Sequence, residues 1–329
     1  MLPHASVSAR PPRSHWSASM RGPRTLLAAL TLSAVCLAVT APAQAAKRVA
    51  AAGDIACEPA SPSYNGGKGM PQACRHLDTS NLIVGRRHDA VLILGDGQYA
   101  DGRLSDYRAS YGPTWGRVKS KTRPAVGNHE YGTPGAAGYF DYFNGDGRKR
   151  GPAGRRGRGY YSFDLGRWHL IALNSNCDQV GCGADSAQVR WLRRDLARSS
   201  SRCALAYMHH PRFSSGWHGD DVRLVPIWRE LQRKRVELAL AGHEHNYERF
   251  APRLAGGKIS KRRGVRQLIA GTGGHSVRPL GDAEPGSRRR LAGIFGILDL
   301  RLERRSYKWG FRTVTPFGSV MDRGSSRCR

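Results

Sequence analysis

Five short motifs carry side chains that bind metal ions in proteins, and each directly follows an apolar run of the chain. In chain order they are Gly53-Asp54-Ile55, Gly95-Asp96-Gly97-Gln98-Tyr99, Gly127-Asn128-His129-Glu130, Met208-His209-His210-Pro211 and Gly242-His243-Glu244-His245. Carboxylates supply hard anionic oxygens, and imidazole nitrogens suit zinc, iron and manganese. These residue types favour a site that holds metal ions.

Each motif is weak by itself, and the set is strong. A Gly-Asp pair is common in turns and helix caps, and a single histidine such as His209 is more often a hydrogen-bonded core residue. His243 and His245 are more specific, because positions i and i+2 of an extended loop project to the same side, where two imidazoles can serve two ions. The five motifs in this order predict a dinuclear metal site.

The chemistry that two cations support best is the hydrolysis of phosphate esters. Two ions about 3.5–4 Å apart clamp a phosphoryl oxygen, and a metal lowers the pKa of bound water from about 15.7 towards about 7. Phosphate monoesters require rate accelerations of up to about 10²¹, whereas a histidine base supplies about 10²–10⁴. The metals are therefore expected to carry most of the catalysis.

The elements that must position these motifs alternate between strands and helices, which is typical of an α/β protein. Short apolar runs predict buried strands at Val49–Ala52, Ala90–Leu94, Leu170–Leu173, Ala204–Met208, Val236–Ala241 and Gln267–Ala270. Ser186 is placed to cap an amphipathic helix, and residues 222–235 predict a second one. Segments 293–302 and 306–314 predict a C-terminal antiparallel strand pair. Loops at the carboxyl ends of α/β strands meet in one crevice, so distant motifs can converge there.

The five motifs in this order resemble the calcineurin-like metallophosphoesterases, and the Asp54 motif followed by Gly-Asp-x-x-Tyr at 95–99 resembles their purple acid phosphatase branch. The resemblance spans Val49 to about Gly274. It implies a four-layer αββα sandwich of two mixed sheets and a metal-dependent phosphoric ester hydrolase.

The resemblance also implies roles for individual residues. It places Asp54, Tyr99 and His245 on a first metal, Asn128, His209 and His243 on a second metal, and Asp96 between the two. The implied ions are iron with zinc or manganese, with Tyr99 as the phenolate ligand of ferric iron. His129 matches the catalytic histidine beside the leaving group, and His218 and His210 are expected to contact substrate.

The first motif departs from the family pattern in a way that concerns metal identity. The common pattern has Asp-x-His, but Ala56 stands at the histidine position, so one nitrogen ligand is lost. Tyr99 either replaces that ligand or packs as an aromatic ring beside a zinc or manganese pair.

The first 45 residues predict a secretory signal peptide. Arginines at 10, 13, 21 and 24 precede an uncharged stretch over residues 26–39, and Ala43-Gln44-Ala45 matches a cleavage pattern. The alternative is an uncleaved anchor. We expect a secreted, extracytoplasmic chain without a transmembrane span after cleavage, with the catalytic domain at 46–315 and a tail at 316–329.

The cysteine count supports export. Beyond the leader there are six cysteines, which allow 15 pairings. Local closure suggests Cys57–Cys74 and Cys177–Cys182, which leaves Cys203 with Cys328 to tie down the tail. Such bonds require an oxidising compartment.

Composition excludes several classes of protein. The chain has 329 residues, of which 40% are hydrophobic and 24% charged, so it is not a wholly disordered chain. It shows no repeat or long heptad run, which argues against a solenoid or a coiled coil.

The formal net charge of +28 favours anionic partners or reflects a GC-rich genome. Basic runs at 145–159, 261–263 and 288–290 suit contact with an anionic polymer or envelope, and without interleaved aromatic residues they do not predict specific nucleic-acid recognition.

The preferred function is therefore a secreted phosphatase that hydrolyses phosphorylated small molecules, with a metal-bridging hydroxide attacking phosphate monoesters. A phosphodiesterase of the same family is the first alternative. A pocket walled by Tyr64, Trp217 and His218 would favour monoesters, and open access to the ions would favour diesters. A non-catalytic polyanion- or envelope-binding protein on the same fold is the second alternative.

Overall fold

Strands and helices alternate through residues 45–302, and three antiparallel strands end the chain. The computed structural model describes residues 14–20, 22 and 45–329, so the predicted leader at 1–45 lies almost entirely outside the described residues. Gln44–Arg329 forms one structural unit, and the described part of Met1–Ala43 has no regular secondary structure.

The strands of the described chain are β1 (Lys47–Ala52), β2 (Ala90–Leu94), β3 (Thr122–Ala125), β4 (Arg150–Gly151), β5 (Gly154–Arg155), β6 (Tyr161–Leu165), β7 (Trp168–Ala172), β8 (Cys203–Tyr207), β9 (Leu238–Ala241), β10 (Tyr247–Phe250), β11 (Arg266–Ala270), β12 (Ser287–Leu291), β13 (Gly296–Leu302), β14 (Ser306–Thr313) and β15 (Val320–Arg327). The α-helices are α1 (His76–Asn81), α2 (Leu104–Asp106), α3 (Ala137–Asn144), α4 (Cys177–Val180), α5 (Ala187–Arg198) and α6 (Val225–Arg233). A π-helical turn extends α2 over Tyr107–Tyr111, and 3₁₀ turns occupy Asn65–Gly67, Trp115–Lys121, His129–Gly132, Pro134–Ala136 and Val222–Leu224.

Two mixed sheets contain most of these strands. The first has the order β15-β14-β13-β1-β2-β3, in which β1, β2 and β3 are parallel and β13 joins β1 antiparallel. The second has the order β12-β10-β11-β9-β8-β7-β6, with a parallel centre formed by β11, β9, β8 and β7. In both sheets the parallel strands direct their carboxyl ends to one edge, and the metal-binding motifs follow those ends.

Three hydrophobic clusters show that the layers form a four-layer sandwich. One cluster joins side chains from both sheets, including Val49 and Leu92 of the first and Leu205 and Leu240 of the second. A second lies on the outer face of the first sheet with α3, and a third lies on the outer face of the second sheet with α5 and α6. Apolar residues alternate between faces because side chains of a strand point to opposite sides. The predicted αββα fold of two mixed sheets is confirmed.

The secondary structure agrees with the sequence patterns where those patterns were regular. Ser186 caps α5 by accepting a hydrogen bond from the Val189 amide, as a serine before an apolar repeat predicts. The predicted C-terminal strand pair forms β13 and β14, but a third strand, β15, extends it. β15 lies within residues 316–329, the segment predicted to form the tail.

Three disulfide bonds connect the cysteines beyond the leader. They join Cys57 to Cys74, Cys177 to Cys182, and Cys203 to Cys328. The last one links β8 of the second sheet to the residue after β15 of the first. Within the described residues, no helix has the length and apolar character that crossing a membrane requires.

Candidate metal centre

The five motifs converge at the carboxyl edge of the two sheets. Asp54 follows β1, Asp96 follows β2 and Asn128 follows β3, whereas His209 follows β8 and His243 follows β9. The two sheets face each other across the shared core, so loops from both sheets meet above it. This is the crevice position at which α/β sheets bind ligands.

The backbone at these positions is strained in a way that concentrates at functional sites. Asp54, Asp96, His243 and His245 have φ values of 61°, 48°, 73° and 49°, in the left-handed region that non-glycine residues rarely adopt. Such conformations cost on the order of 1–3 kcal/mol each and persist where the surroundings enforce them. The strain fixes the direction of these side chains.

The phenol of Tyr99 lies at the centre of a first group of ligand atoms. Its oxygen is 2.9 Å from Asp54 Oδ1, 3.0 Å from Asp96 Oδ2 and 3.1 Å from His245 Nε2. Nδ1 of His245 lies 2.8 Å from the Ser276 hydroxyl, which orients the ring so that Nε2 faces this group. The phenol has a single proton, so it can donate to only one of the two carboxylates.

His209 lies at the centre of a second group. Its Nδ1 faces the Leu94 carbonyl at 2.9 Å, so Nδ1 carries a proton. Its Nε2 lies 3.1 Å from Asp96 Oδ2, 2.9 Å from Asn128 Oδ1 and 3.0 Å from His243 Nδ1. At most one proton on Nε2 faces these three acceptors.

Each group therefore contains more hydrogen-bond acceptors than donor protons. A cation bound at each group would take the place of the missing protons. Asp96 Oδ2 belongs to both groups, which is the arrangement a bridging carboxylate requires. Asp54, Asp96 and His209 carry ligand atoms within 4.8 Å of one another, as do His209, His210 and His243. The mixture of carboxylate, phenol, amide and imidazole donors fits iron, zinc or manganese.

The electrostatics of the centre agree with this fit. Burial opposes ionisation of Asp96, but His209 and His129 hold its pKa well below the usual range. Burial likewise opposes ionisation of Asp54, and His245 more than compensates, so its pKa is also lowered. Burial disfavours the charged imidazole of His209, yet Asp96 raises its pKa to about 9. The neighbouring histidines thus favour the ionised form of both carboxylates, although these are only 0% and 1% exposed.

His129 and His210 lie beside the ligand groups. The Nδ1 of His129 is 2.6 Å from the Ala100 carbonyl, and its Nε2 is 3.9 Å from Asp96 Oδ2, so Nε2 faces the centre. The side chain is 34% exposed, which leaves it accessible to a bound molecule. His210 is nearly buried, and its Nδ1 lies 2.8 Å from the Ser175 hydroxyl. Burial and the neighbouring His209 lower the pKa of His210 to about 3.

His218 lies on the rim of the site with both ring nitrogens occupied. Its ring stacks on His243 with centroids 4.0 Å apart. Nε2 is 3.3 Å from an Arg278 nitrogen and Nδ1 is 3.4 Å from Glu244 Oε2. Because arginine only donates, Nε2 accepts and the ring proton faces Glu244.

The two aromatic residues expected to wall a pocket differ in their surroundings. Trp217 is 82% exposed. The hydroxyl of Tyr64 donates to the Ala109 carbonyl and its ring stacks on His76.

Two residues that support the centre were missed by sequence reasoning. Glu130 is fully buried and accepts hydrogen bonds from the amides of Asp96 and Gly127 at 3.0 and 2.6 Å and from the Tyr107 hydroxyl at 2.8 Å. It thus joins the loops after β2 and β3. Its place directly after His129 was the available signal.

The second missed residue, His275, follows β11 in the run Gly273-Gly274-His275-Ser276. Its ring stacks on Tyr99, and its amide donates to the Asp54 carbonyl at 2.9 Å. A histidine after an apolar run was the signal, but no second ligand type stands next to it.

The fold and the site define this chain as an αββα sandwich with two candidate groups of metal ligands at the strand ends. It belongs to the calcineurin-like phosphoesterase family, whose model matches residues 47–247, more than half of the chain. The resemblance inferred from the five motifs is thereby confirmed.

Curated relatives point to the purple acid phosphatase branch. Purple acid phosphatase 21 of Arabidopsis thaliana is 29% identical over 192 residues, which cover 53% of this chain and 41% of the relative. A nucleotide pyrophosphatase/phosphodiesterase of Hordeum vulgare is 27% identical over 203 residues, covering 54% of this chain and 53% of the relative. The chain thus spans about half or less of the length of these relatives.

Solved structures share the fold. The purple acid phosphatase PPD1 from yellow lupin seeds (Lupinus luteus) superposes with a TM-score of 0.71 at 18% identity, covering 86% of this chain and 54% of the lupin chain. GAP50 of Plasmodium superposes with a TM-score of 0.59 at 13% identity, covering 87% and 90%.

Proposed function

We propose that this protein is a metal-dependent phosphoester hydrolase that acts on phosphorylated small molecules, with phosphate monoesters as its substrates. The observation that carries the proposal is the pair of proton-deficient ligand groups that share Asp96 Oδ2. Family membership supports it independently.

The residues that would hold the ions divide between the two groups. Tyr99, Asp54 and His245 would hold one ion, Asn128, His209 and His243 the other, and Asp96 both. Iron with zinc or manganese suits these donors. When bound, two such ions supply Lewis acidity at the phosphoryl oxygens and acidify water.

We assign the proton donor to His129. Its Nδ1 is held by the Ala100 carbonyl, so the ring presents Nε2 to the centre from a partly exposed position. There it would give its proton to the departing alkoxide as a general acid. His210, whose ring contacts those of His209 and His243, would contact the substrate.

On the rim, His218 would act together with Arg278. Since both nitrogens of His218 are occupied, its contact with substrate would be through the ring face and edge. The Arg278 guanidinium beside it has further N–H groups suited to phosphate oxygens.

A phosphodiester substrate is the second candidate, and the exposure of Trp217 favours it. At 82% exposure this side chain does not form the closed wall that would restrict entry to monoesters. The barley relative described as a phosphodiesterase is in keeping with that candidate.

Turnover of two chromogenic esters tests these proposals. Purified, metal-loaded protein is assayed with p-nitrophenyl phosphate and with its bis ester, with and without a chelator. The monoester should be cleaved faster, and the chelator should abolish turnover. Faster cleavage of the bis ester would select the second candidate, and no metal-dependent turnover of either ester would leave the non-catalytic polyanion-binding alternative.

We also propose that the chain is exported and cleaved after Ala45. The leader pattern and the three disulfide bonds support this. Amino-terminal sequencing of protein recovered from the culture medium should begin at Ala46. Recovery only of the uncleaved chain in the cell would contradict it.

A further inference from the structure

A basic groove of about 600 Å³ lies on the outer face of the first sheet, away from the metal centre. Six arginines and one lysine line it, against one carboxylate, that of Asp299. Gly310 has no side chain, so the surface is lower there than at the neighbouring lining residues Lys308 and Arg312. Arg48 stands six positions before Asp54 along β1, so roughly 20 Å of extended chain separates the groove from the nearest ligand loop.

The strand register places like charges directly opposite each other in this groove. Arg48 of β1 pairs with Arg301 of β13, and Arg301 pairs with Lys308 of β14. Residues opposite each other in antiparallel strands have Cβ atoms about 4.5–5.5 Å apart, and like charges at that spacing are destabilising. Glu303 offsets part of this repulsion, at 3.2 Å from Arg301 and 3.8 Å from Lys308.

Three other cations of the groove have no such partner. Within residues 45–329, no acceptor pairs with the side chains of Arg48, Arg87 and Arg323. The carboxylate of Asp299 is already occupied, because His88 lies 2.7 Å from one oxygen and Arg312 bonds to the other. The groove thus presents several cations with unused donors, an arrangement that an anion would satisfy.

We infer that this groove binds a small oligophosphate, a compact anion with several linked phosphate groups. Guanidinium groups bind phosphate oxygens through charge-assisted, bidentate hydrogen bonds. A single phosphate would leave most of these arginines unused, whereas several linked phosphates reach across the row. A volume of about 600 Å³ is that of a small-molecule site, which favours an oligophosphate over a polymer.

Titration calorimetry with inorganic tripolyphosphate, at a fixed physiological salt concentration, tests the inference. It is carried out on metal-loaded and on chelator-treated protein. A groove site should bind one tripolyphosphate in the chelator-treated protein, in which the metal centre is empty, whereas binding only to the loaded form would assign the ligand to the metal centre and overturn the inference. The result does not depend on the proposed hydrolysis.

A matched pair of variants separates a site from general charge. The triple variant Arg48→Gln, Arg87→Gln, Arg323→Gln removes unpaired groove cations and should weaken binding at least about 10-fold, since it removes several charge-assisted bonds. The control Arg150→Gln, Arg155→Gln, Arg158→Gln removes the same charge from a separate exposed surface and should change affinity less than about 2-fold. An equal loss in both variants would overturn the inference.

Further measurements test the ligand class and the structural alternative. Orthophosphate should bind far more weakly than tripolyphosphate, and equal affinity would reduce the groove to a single-anion site and overturn the inference. Binding of long-chain polyphosphate or nucleic acid without binding of tripolyphosphate would overturn it in favour of a polymer. The melting temperature of the groove variant should equal or exceed that of the unmodified protein, because repulsion is relieved; a clear fall would show that the arginines stabilise the fold.

Discussion

The imidazole ring of His275 lies flat against the phenol ring of Tyr99, with centroids 3.5 Å apart and planes at 11°. The amide of His275 also bonds to the Asp54 carbonyl, so the strand-end loop after β11 is fixed to the loop after β1. Burial, followed by the carboxylates of Asp54 and Asp96, raises the pKa of Tyr99 well above 10. The phenol is thus held in place by the stacked ring and has a proton that only a strongly charged cation would displace.

A visible absorption band tests whether Tyr99 binds ferric iron. The iron-loaded protein should show a phenolate charge-transfer band that Tyr99→Phe abolishes. His275→Ala should shift this band and lower stability by about 0.5–1.5 kcal/mol, because a ring contact is lost. Tyr64→Phe, which changes a tyrosine outside the ligand groups, should leave the band unchanged. A colourless iron-loaded protein would identify Tyr99 as a packed aromatic beside other metals.

The shared carboxylate makes Asp96→Asn the most informative ligand variant. Because Asp96 Oδ2 belongs to both ligand groups, the variant should lose bound metal and phosphatase activity together, the latter by at least about 100-fold. Elemental analysis and the chromogenic assay measure the two effects. Asp101→Asn, an exposed carboxylate paired with Arg103, serves as the control and should retain both. Full metal content in Asp96→Asn would contradict the bridging role.

Glu130→Gln should destabilise the fold, because it converts an acceptor that faces only donors into a group with its own N–H donors. Both carboxylate oxygens of Glu130 accept from backbone amides, so an amide nitrogen at either position would face another N–H. Leaving such buried donors unsatisfied costs about 1–3 kcal/mol each. Denaturant unfolding should therefore show a loss of about 2–4 kcal/mol, whereas the exposed Asp185→Asn should change stability by less than about 0.5 kcal/mol. Unchanged stability in Glu130→Gln would refute this role.

His169 gives the protein a pH-dependent contribution to stability outside the metal centre. Burial disfavours its charged form, but hydrogen bonds to Asp195 and Asp164, both at 2.8 Å, raise its pKa above the ordinary value. A raised folded-state pKa means that this contribution is complete below the unfolded pKa near 6.5 and is lost as pH rises through the folded value. The unfolding free energy lost in His169→Gln should therefore be larger at pH 5.5 than at pH 8.5. An equal loss at both pH values would contradict the charged pair.

The disulfide bonds that close the longest and the shortest loops should differ in their effect on stability. Cys203 and Cys328 are 125 positions apart, whereas Cys177 and Cys182 are 5 apart. Loop-closure entropy predicts a cost of about 5 kcal/mol for removing the first bond and about 2 kcal/mol for the second. Denaturant unfolding of the Cys203→Ser, Cys328→Ser and Cys177→Ser, Cys182→Ser variants measures both. A larger loss in the second variant would show that native-state contacts, and not loop length, decide the order.

The sequence by itself determined the α/β class and which motifs could supply metal ligands, and the family resemblance of those motifs implied the sandwich. Apolar runs before Asp54, Asp96 and His209 identified buried strands, because length and composition distinguish a strand from a surface helix. The carboxyl-edge rule then predicted that their loops would meet, and the family comparison confirmed the class of protein. The predicted helix cap at Ser186 also depends only on neighbouring residues, and the structure confirms it.

Only the tertiary structure decided which atoms touch and which surfaces form. The stacking of His275 on Tyr99 and the hydrogen bonds of Glu130 to the loop after β2 join segments that lie tens of residues or more apart in the sequence. Local composition does not predict which of these segments come into contact. The basic groove depends on the register that sets Arg48 opposite Arg301, and the period of two along a strand fixes the face of a side chain but not its partner across the sheet. Within the predicted tail, Val320–Arg327 forms β15 by pairing with the edge strand β14. That edge exists only in the assembled sheet, so residues 316–329 alone do not predict the strand.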